Sequence, residues 1–256
     1  MKKVTAFIGS PQKRAAYRAV QEFEENLKLY GEIDFEYVFL KDYHLEYCNG
    51  CCLCFNKGEE HCPLKDDRDV LFEMMYNSDG VIFATPSYSF QVTAPMKNLL
   101  DRMAFYHHRP RFFDKTFTAI VNYGIYGGAP IVKYLESMGR NFGFQVTRGC
   151  GLVTLEPRTE RQQKKISQKI RKASIRFYKE LMRQTLPTPS FYKLIAFRLS
   201  RTGIKLIQDE NFRDYCYYKE KGWFDSEYYH DVSLGLIKKI VGRFFDYLGQ
   251  WMVKHR

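Results

Sequence analysis

The chain has 256 residues, 45% hydrophobic and 16% aromatic, enough to bury a sizeable core and too apolar for a disordered polymer. Its net charge is +11, and most of that lies between Arg158 and Arg183, where ten Lys or Arg face two acidic residues. No window approaches the roughly 18 uninterrupted apolar residues of a membrane-spanning helix. The run Val4 to Ile8 is too short for a secretory core, so the expectation is a cytoplasmic protein with reduced thiols and no disulfide framework.

In chain order, Lys3 to Gly9 reads as a strand and Gln12 to Tyr30 as a helix carrying Val20, Phe23 and Leu27 near the helical period. Phe35 to Leu40 is a second strand, Asp66 to Asn77 a helix, and Gly80 to Thr85 a third strand, apolar enough to be buried on both faces. Ala94 to Phe105 (helix), Phe117 to Asn122 (strand), Pro130 to Asn141 (helix) and Phe144 to Val153 (fifth strand) follow. A long helix, Thr159 to Arg183, closes the series, with Ile166, Ile170, Ala173, Phe177 and Leu181 on one face and its cations on the solvated one. No base-reading module accompanies these charges, so nucleic acid is not the expected partner. Strands alternating with helices imply an α/β fold: a flavodoxin-like, doubly wound, five-stranded parallel sheet of order 2-1-3-4-5.

Pro187 and Pro189 mark a hinge, dividing the chain into a sheet domain, 1–185, and a helical C-terminal extension, 186–256. In the extension, Ile237, Ile240, Val241, Phe244, Phe245, Leu248, Trp251 and Met252 recur at three and four. Packing on the sheet domain or on a dimer mate is expected, with a membrane-surface role as the alternative.

Ligands of such sheets sit beyond the carboxyl ends of the strands, near the switch point. After strand one, Gly9-Ser10-Pro11-Gln12-Lys13-Arg14 leads into a helix, a turn suited to an anion, or else a solvated loop. After strand three, Pro86, Ser87, Tyr88, Ser89 and Phe90 offer rings and hydroxyls for a flat ligand, or caps for the core. After strand four, Asn122, Tyr123, Gly124, Gly127 and Gly128 permit close backbone approach, as any tight turn does.

Five of seven cysteines fall in CNGCCLCFNKGEEHC, Cys48 to Cys62. Cys48, Cys51, Cys54 and Cys62 form CxxCxxCx7C, the thiolate count of an iron-sulfur cubane or a closed zinc site. The remaining alternative is free, buried or redox-active thiols; Cys52 fits none of the four-ligand schemes, and Cys150 and Cys216 read as buried thiols. The six histidines show no triad or metal spacing, and His107-His108 suits a helix C-terminus. Asp101 and Arg102 read as a structural pairing.

The ordered series GSPQK, CNGCCLC, KDD (Lys65 to Asp67), ATPSYSF, PMKNLLDR (Pro95 to Arg102) and NYGIYGG resembles the NAD(P)H-dependent FMN reductase and iron-sulfur flavoprotein branch of the flavodoxin-like superfamily, over residues 1–185. The resemblance implies FMN, its phosphate on the first loop at Ser10, Gln12, Lys13, Arg14 and Tyr17, and its isoalloxazine held by the Pro86 to Phe90 and Asn122 to Gly128 loops. It implies a homodimer with the flavin near the interface. In the iron-sulfur relatives the cysteine quartet carries a [4Fe-4S] cluster. Family members commonly follow the first loop with Gly, Asn and Ser or Thr; here Arg14-Ala15-Ala16-Tyr17 lacks those donors, so weaker FMN retention is expected.

The implied function is an FMN-dependent oxidoreductase carrying electrons from NAD(P)H or a reduced carrier to a small acceptor such as a quinone or flavin. The alternatives are an iron-sulfur electron carrier exchanging with ferredoxin and a non-catalytic flavin-fold or membrane-peripheral module. The flavin carries the chemistry, so no side-chain acid or base is assigned. The basic segment would attract NADPH or an acidic redox partner.

Overall fold

The computed structural model describes residues 1–255. In chain order its elements are β1 (Lys2–Ile8), α1 (Ala15–Lys28), β2 (Ile33–Phe39), α2 (Leu53–Asn56), α3 (Arg68–Tyr76), β3 (Gly80–Pro86), α4 (Ala94–Arg102), β4 (Thr116–Tyr123), α5 (Gly128–Asn141), β5 (Gln145–Val146), β6 (Cys150–Val153), α6 (Glu160–Leu181), α7 (Phe191–Ile207), α8 (Arg213–Glu220) and α9 (Leu236–Lys254). They form two compact units. One holds residues 1–49 and 64–183; the other holds Gly50–Pro63 with the chain from Gln184 onward. No described helix is long and apolar enough to cross a membrane.

In the first unit all strand pairs are parallel, in the order β2-β1-β3-β4-β5, with β6 also on β4. The order follows from the apolar runs. Val4, Ala6, Phe7, Ile8 and Val81 to Ala84 are fully buried, so β1 and β3 must lie inside a sheet covered on both faces. The register sets Ile8 opposite Ala84 and Ala84 opposite Ile120, which brings the carboxyl ends of β1, β3 and β4 side by side. On one face α1 and α6 share a core, where Phe23 meets Phe177 edge to face at 5.5 Å. A capping box, Thr159 with Gln162, starts α6.

The fifth strand departs from the expected single run, Phe144 to Val153. It is broken at residues 147–149 into β5 and β6. Gly149 presses on the Ala119 backbone, with the site of a Cβ only 3.1 Å from Ala119 N, and its amide turns to Glu136 Oε1 at 2.9 Å. Lys169 Nζ donates to Gly151 O and Arg176 Nη2 to Arg148 O, both at 3.0 Å. Part of the basic face of α6 thus caps the exposed polar groups of the sheet's edge, a common safeguard against edge pairing.

Arg102 pairs not with Asp101, as the sequence suggested, but with Asp66, 36 residues away; Asp101 pairs with Lys97. The Arg102 and Asp66 side chains are 2% and 1% exposed. Arg102 also donates to Glu46 O at 2.8 Å, Asp66 accepts from Glu46 N at 2.8 Å, Asn98 Nδ2 donates to Leu45 O at 2.7 Å, and Asp67 accepts from His44 N at 2.7 Å. Residues 44–46 and 66–68, the two stems of the cysteine-rich excursion, are therefore fastened to each other and to α4.

In the second unit α7 and α9 pair through polar groups. Asp246 of α9 accepts from Arg198 at 2.8 Å, Arg201 at 2.6 Å and Thr202 at 3.2 Å. Trp223, Tyr217, Tyr218 and Tyr229 form an aromatic cluster at the end of α8, with Trp223 Nε1 donating to Tyr229 O at 3.0 Å.

Burial pushes the Asp66 carboxyl up, but the Arg102 guanidinium and the Glu46 and Arg68 amides outweigh it and hold the group below its ordinary value. Its contribution to stability is complete above the unfolded value of about 3.9 and is lost as pH falls through the lower folded value. Arg102→Met, leaving a buried carboxylate unpaired, is expected to cost about 3–5 kcal/mol at pH 7 in urea denaturation. In Asp66→Asn the acid limb of the stability profile should flatten below about pH 4 relative to the parent chain.

Candidate functional site

The ends of β1, β3, β4 and β6 enclose a cleft of about 240 Å³. Backbone and threonine bonds knit its rim. Gly9 N donates to Ala84 O at 2.8 Å, Thr93 Oγ1 to Gly9 O at 2.8 Å, Thr93 N to Thr85 Oγ1 at 3.2 Å, Ser87 N to Asn122 O at 2.7 Å, and Thr154 N to Tyr123 O at 2.9 Å. Gly9 is required by packing, because a Cβ there would lie 2.5 Å from Thr93 Oγ1 and 3.0 Å from Met96 Cβ.

Ser10, Gln12 and Arg14 of the first loop, Pro86, Ser87 and Tyr88 of the third, and Asn122, Tyr123 and Gly124 of the fourth line the cleft. Ala15, Ala16 and Thr154 join them, and sequence reasoning missed all three. The alanines carry no chemistry to notice; they matter as the first turn of α1. Arg14 is the N-cap of that helix, no side chain caps its amides, and no acidic residue sits in its first turn. Its free amides and positive dipole end face the cleft with Arg14, an arrangement that favours an anion. Ser10 Oγ donates to Gln12 O at 2.8 Å, which holds the turn in shape.

Lys13 and Tyr17 are absent from the lining. The Lys13 ammonium lies 5.6 Å from the Tyr17 ring centroid and 5.5 Å from that of Phe39, and Tyr17 packs against Tyr37 and Phe39. Expected from the sequence as cofactor contacts, both pack with Phe39 on the face of β2 that α1 covers.

Asn122 is 2% exposed, and neither its Nδ2 nor its Oδ1 has a hydrogen-bond partner. A buried amide left this way costs about 1–3 kcal/mol. Its backbone is satisfied by the sheet; its side-chain amide, with two N-H donors and a carbonyl acceptor, is buried in the wall of the cleft.

Ser89, Phe90, Gly127 and Gly128 lie off the lining. Tyr88 and Gln91 pair reciprocally at 2.9 and 3.0 Å around Ser89 and Phe90, whose φ values of 47° and 61° are those of a type I′ hairpin turn. Non-glycine residues held there store strain. The turn sets Phe90 on Tyr126, rings stacked at 5.2 Å, and both remain more than half exposed. Gly127, at φ 90°, has no room for a side chain, since its Cβ would fall 2.6 Å from Phe90 Cδ1. Gly128 lies against the Tyr123 ring. These two glycines let aromatic rings approach the backbone.

Cys48, Cys51 and Cys52 are exposed, Cys54 and Cys62 half-buried, and none is in a disulfide. Cys52 takes φ 58° as the N-cap of α2. Among the described residues no three or more His, Cys, Asp or Glu side chains are gathered as metal ligands. Cys150 is buried and its thiol is pushed up to about 12 by burial, while Cys216 is only half-buried. Burial, and then its neighbour His108, lowers the pKa of His107, which lies edge-on to Phe142 at 5.0 Å; packing rather than a helix dipole explains this ring.

Residues 2–154 match the family described as NADPH-dependent FMN reductase. The chain belongs to that family. Among similar proteins, an iron-sulfur flavoprotein of Archaeoglobus fulgidus is 34% identical over 55% of this chain and 64% of its own length. An iron-sulfur flavoprotein of Clostridioides difficile is 28% identical over 68% of this chain and 77% of its own length. The match thus spans less than two thirds of the first relative. In fold the FMN reductase family chain is similar to a NAD(P)H:quinone oxidoreductase from Methanothermobacter marburgensis, with a TM-score of 0.55, 18% identity and coverage of 68% of this chain and 95% of that one. The doubly wound, flavodoxin-like sheet is common to both.

Gly9→Ala tests the close approach at the rim. Overpacking at Thr93 and Met96 is expected to cost about 1–3 kcal/mol in urea denaturation, whereas an open glycine position would be neutral or slightly stabilised.

Proposed function

We propose that the chain is an FMN-dependent oxidoreductase that passes electrons from NAD(P)H to a small acceptor such as a quinone or a second flavin. The observation that carries this reading is the orphaned, buried Asn122 amide in the wall of a cleft that is also lined by the uncapped start of α1. A flavin nucleotide answers both needs: a phosphate for the open amides and Arg14, and a ring edge of alternating carbonyl and N-H groups for an amide whose N-H donors and carbonyl acceptor are all unpartnered. The missing Gly, Asn and Ser or Thr donors of the family leave Arg14, Ser10 and the backbone amides to hold the phosphate.

When bound, FMN accepts hydride from a nicotinamide and releases electrons singly or in pairs. The chain's own groups bind and orient. Tyr88, Tyr123, Ser87 and Gly124 of the lining would hold the ring, and no titratable side chain of the lining would be needed for proton transfer. At about 240 Å³ the cleft lies below the roughly 300–1,000 Å³ of pockets that enclose a whole ligand, so it would cover only part of a flavin nucleotide. The exposed rings of Tyr88, Phe90 and Tyr126 beside the mouth support the homodimer that the family resemblance implies.

A second reading, an electron carrier with a [4Fe-4S] cluster exchanging electrons with ferredoxin, is favoured by the CxxCxxCx7C spacing and by the names of the relatives. Among the described residues the thiols are not gathered as a ligand group, so no electron step is drawn through them. Anaerobic purification with iron and sulfide analysis decides: equimolar iron and sulfide would support the carrier, and zinc without sulfide a structural site.

Asn122→Leu separates binding from structure. Removing an unpartnered buried amide is expected to raise the stability of the flavin-free protein while lowering FMN affinity about tenfold or more, the worth of one or two hydrogen bonds. Thermal denaturation of the stripped protein and fluorescence titration with FMN measure the two effects. Loss of stability with unchanged FMN affinity would show that the amide serves the fold.

A further inference from the structure

An amphipathic helix ordinarily buries its apolar stripe and turns its polar face to water. Helix α9 does the reverse. Gly242, Asp246 and Gly249 lie on the side that meets α7: Gly242 and Gly249 are buried, with sites of a Cβ 3.0 Å from Arg198 Nε and 3.2 Å from Thr202, and Asp246 holds Arg198 and Arg201. The opposite side carries Leu236, Ile240, Phe244, Tyr247 and Trp251, spaced 4, 4, 3 and 4 and therefore one above another along the helix. They are 75%, 58%, 57%, 69% and 50% exposed, and Ile237 beside them is 70% exposed. A stripe of this size, on a helix of 19 residues and about 28 Å, is not left to water without a partner.

Charge selects the partner. The one acid of α9, Asp246, is spent on the arginines of α7, while Lys239, Arg243 and Lys254 flank the apolar stripe and Lys238 covers Phe191. Every charge of α9 next to the stripe is positive. A second copy of the same face would set cations against cations, whereas an anionic lipid surface would take the apolar side chains into its headgroup boundary and the cations onto its phosphates. We propose that α9 is a membrane-surface element that lays Leu236, Ile240, Phe244, Tyr247 and Trp251 into an anionic bilayer without crossing it. This proposal is independent of what the cleft binds.

The test uses the full chain with vesicles of phosphatidylcholine alone and of phosphatidylcholine with phosphatidylglycerol, by flotation. The two tryptophans provide a second signal: Trp223 is 5% exposed and Trp251 50%, so a blue shift on mixing reports Trp251 leaving water. Binding to the anionic vesicles, at least tenfold weaker on neutral ones and in high salt, is expected. Phe244→Glu, at an exposed position, should lower it tenfold or more while circular dichroism is unchanged. Should that variant misfold, the salt and lipid series on the parent chain stands by itself. Absence of vesicle binding by the parent chain overturns the proposal, most directly if light scattering shows a dimer that Phe244→Glu dissociates, since the stripe would then belong to a second copy.

Discussion

The close approach of Gly9 to Thr93 governs where the cleft can be. Thr93 opens α4, and its hydroxyl reaches back to the Gly9 carbonyl at 2.8 Å, while the Gly9 amide continues the β1–β3 ladder to Ala84. The first loop is thereby pinned to the start of the helix that follows β3, at the point where the strand order turns from β1 outward to β2 on one side and β3 on the other. That reversal opens the crevice in a parallel sheet. With the rim tied by backbone and threonine bonds, the lining residues are free to point at a ligand rather than at one another.

The site carries the local conflicts that a stable fold otherwise avoids: a buried amide without partners at Asn122, an uncapped helix start at Arg14, and two non-glycine residues at positive φ in the Ser89-Phe90 turn. Each is unfavourable in isolation. Asn122 and Arg14 line one cleft and the strained turn adjoins its Tyr88, as expected where polar groups and strained backbone are kept for a ligand. The Asp66–Arg102 clamp plays the opposite part, with its charges, amides and carbonyls all satisfied in a buried position. It closes the neck of the cysteine-rich excursion and leaves the thiols beyond the neck exposed or half-buried.

The sheet was legible because β1, β3 and β4 are predominantly apolar and alternate with helical patterns, and the cleft because three strand ends carry small, aromatic and amide residues. What escaped the sequence depends on contacts between distant residues. Asp66 and Arg102 are 36 positions apart, and the adjacent Asp101 looked like the natural partner. Lys13 reads as a phosphate cation until the Tyr17 and Phe39 rings are seen to hold it. Ala15, Ala16 and Thr154 offer backbone or position rather than distinctive chemistry, so composition could not single them out. The fifth strand breaks at residues 147–149, where Gly149 lies close against the Ala119 backbone, an approach that an apolar pattern does not record. In α9 the helical period was plain, yet the side that packs is chosen by Asp246 and two glycines rather than by the stripe.

The central claim is that the start of α1 is a phosphate site within a flavin cleft. Titrating the stripped protein with FMN and with riboflavin, which differ only in the phosphate, tests it most directly. Binding of FMN at least tenfold tighter than riboflavin, with the gap narrowing as salt screens Arg14 and the helix dipole, is the expected result. Equal affinities for the two, or no binding of either, would contradict it.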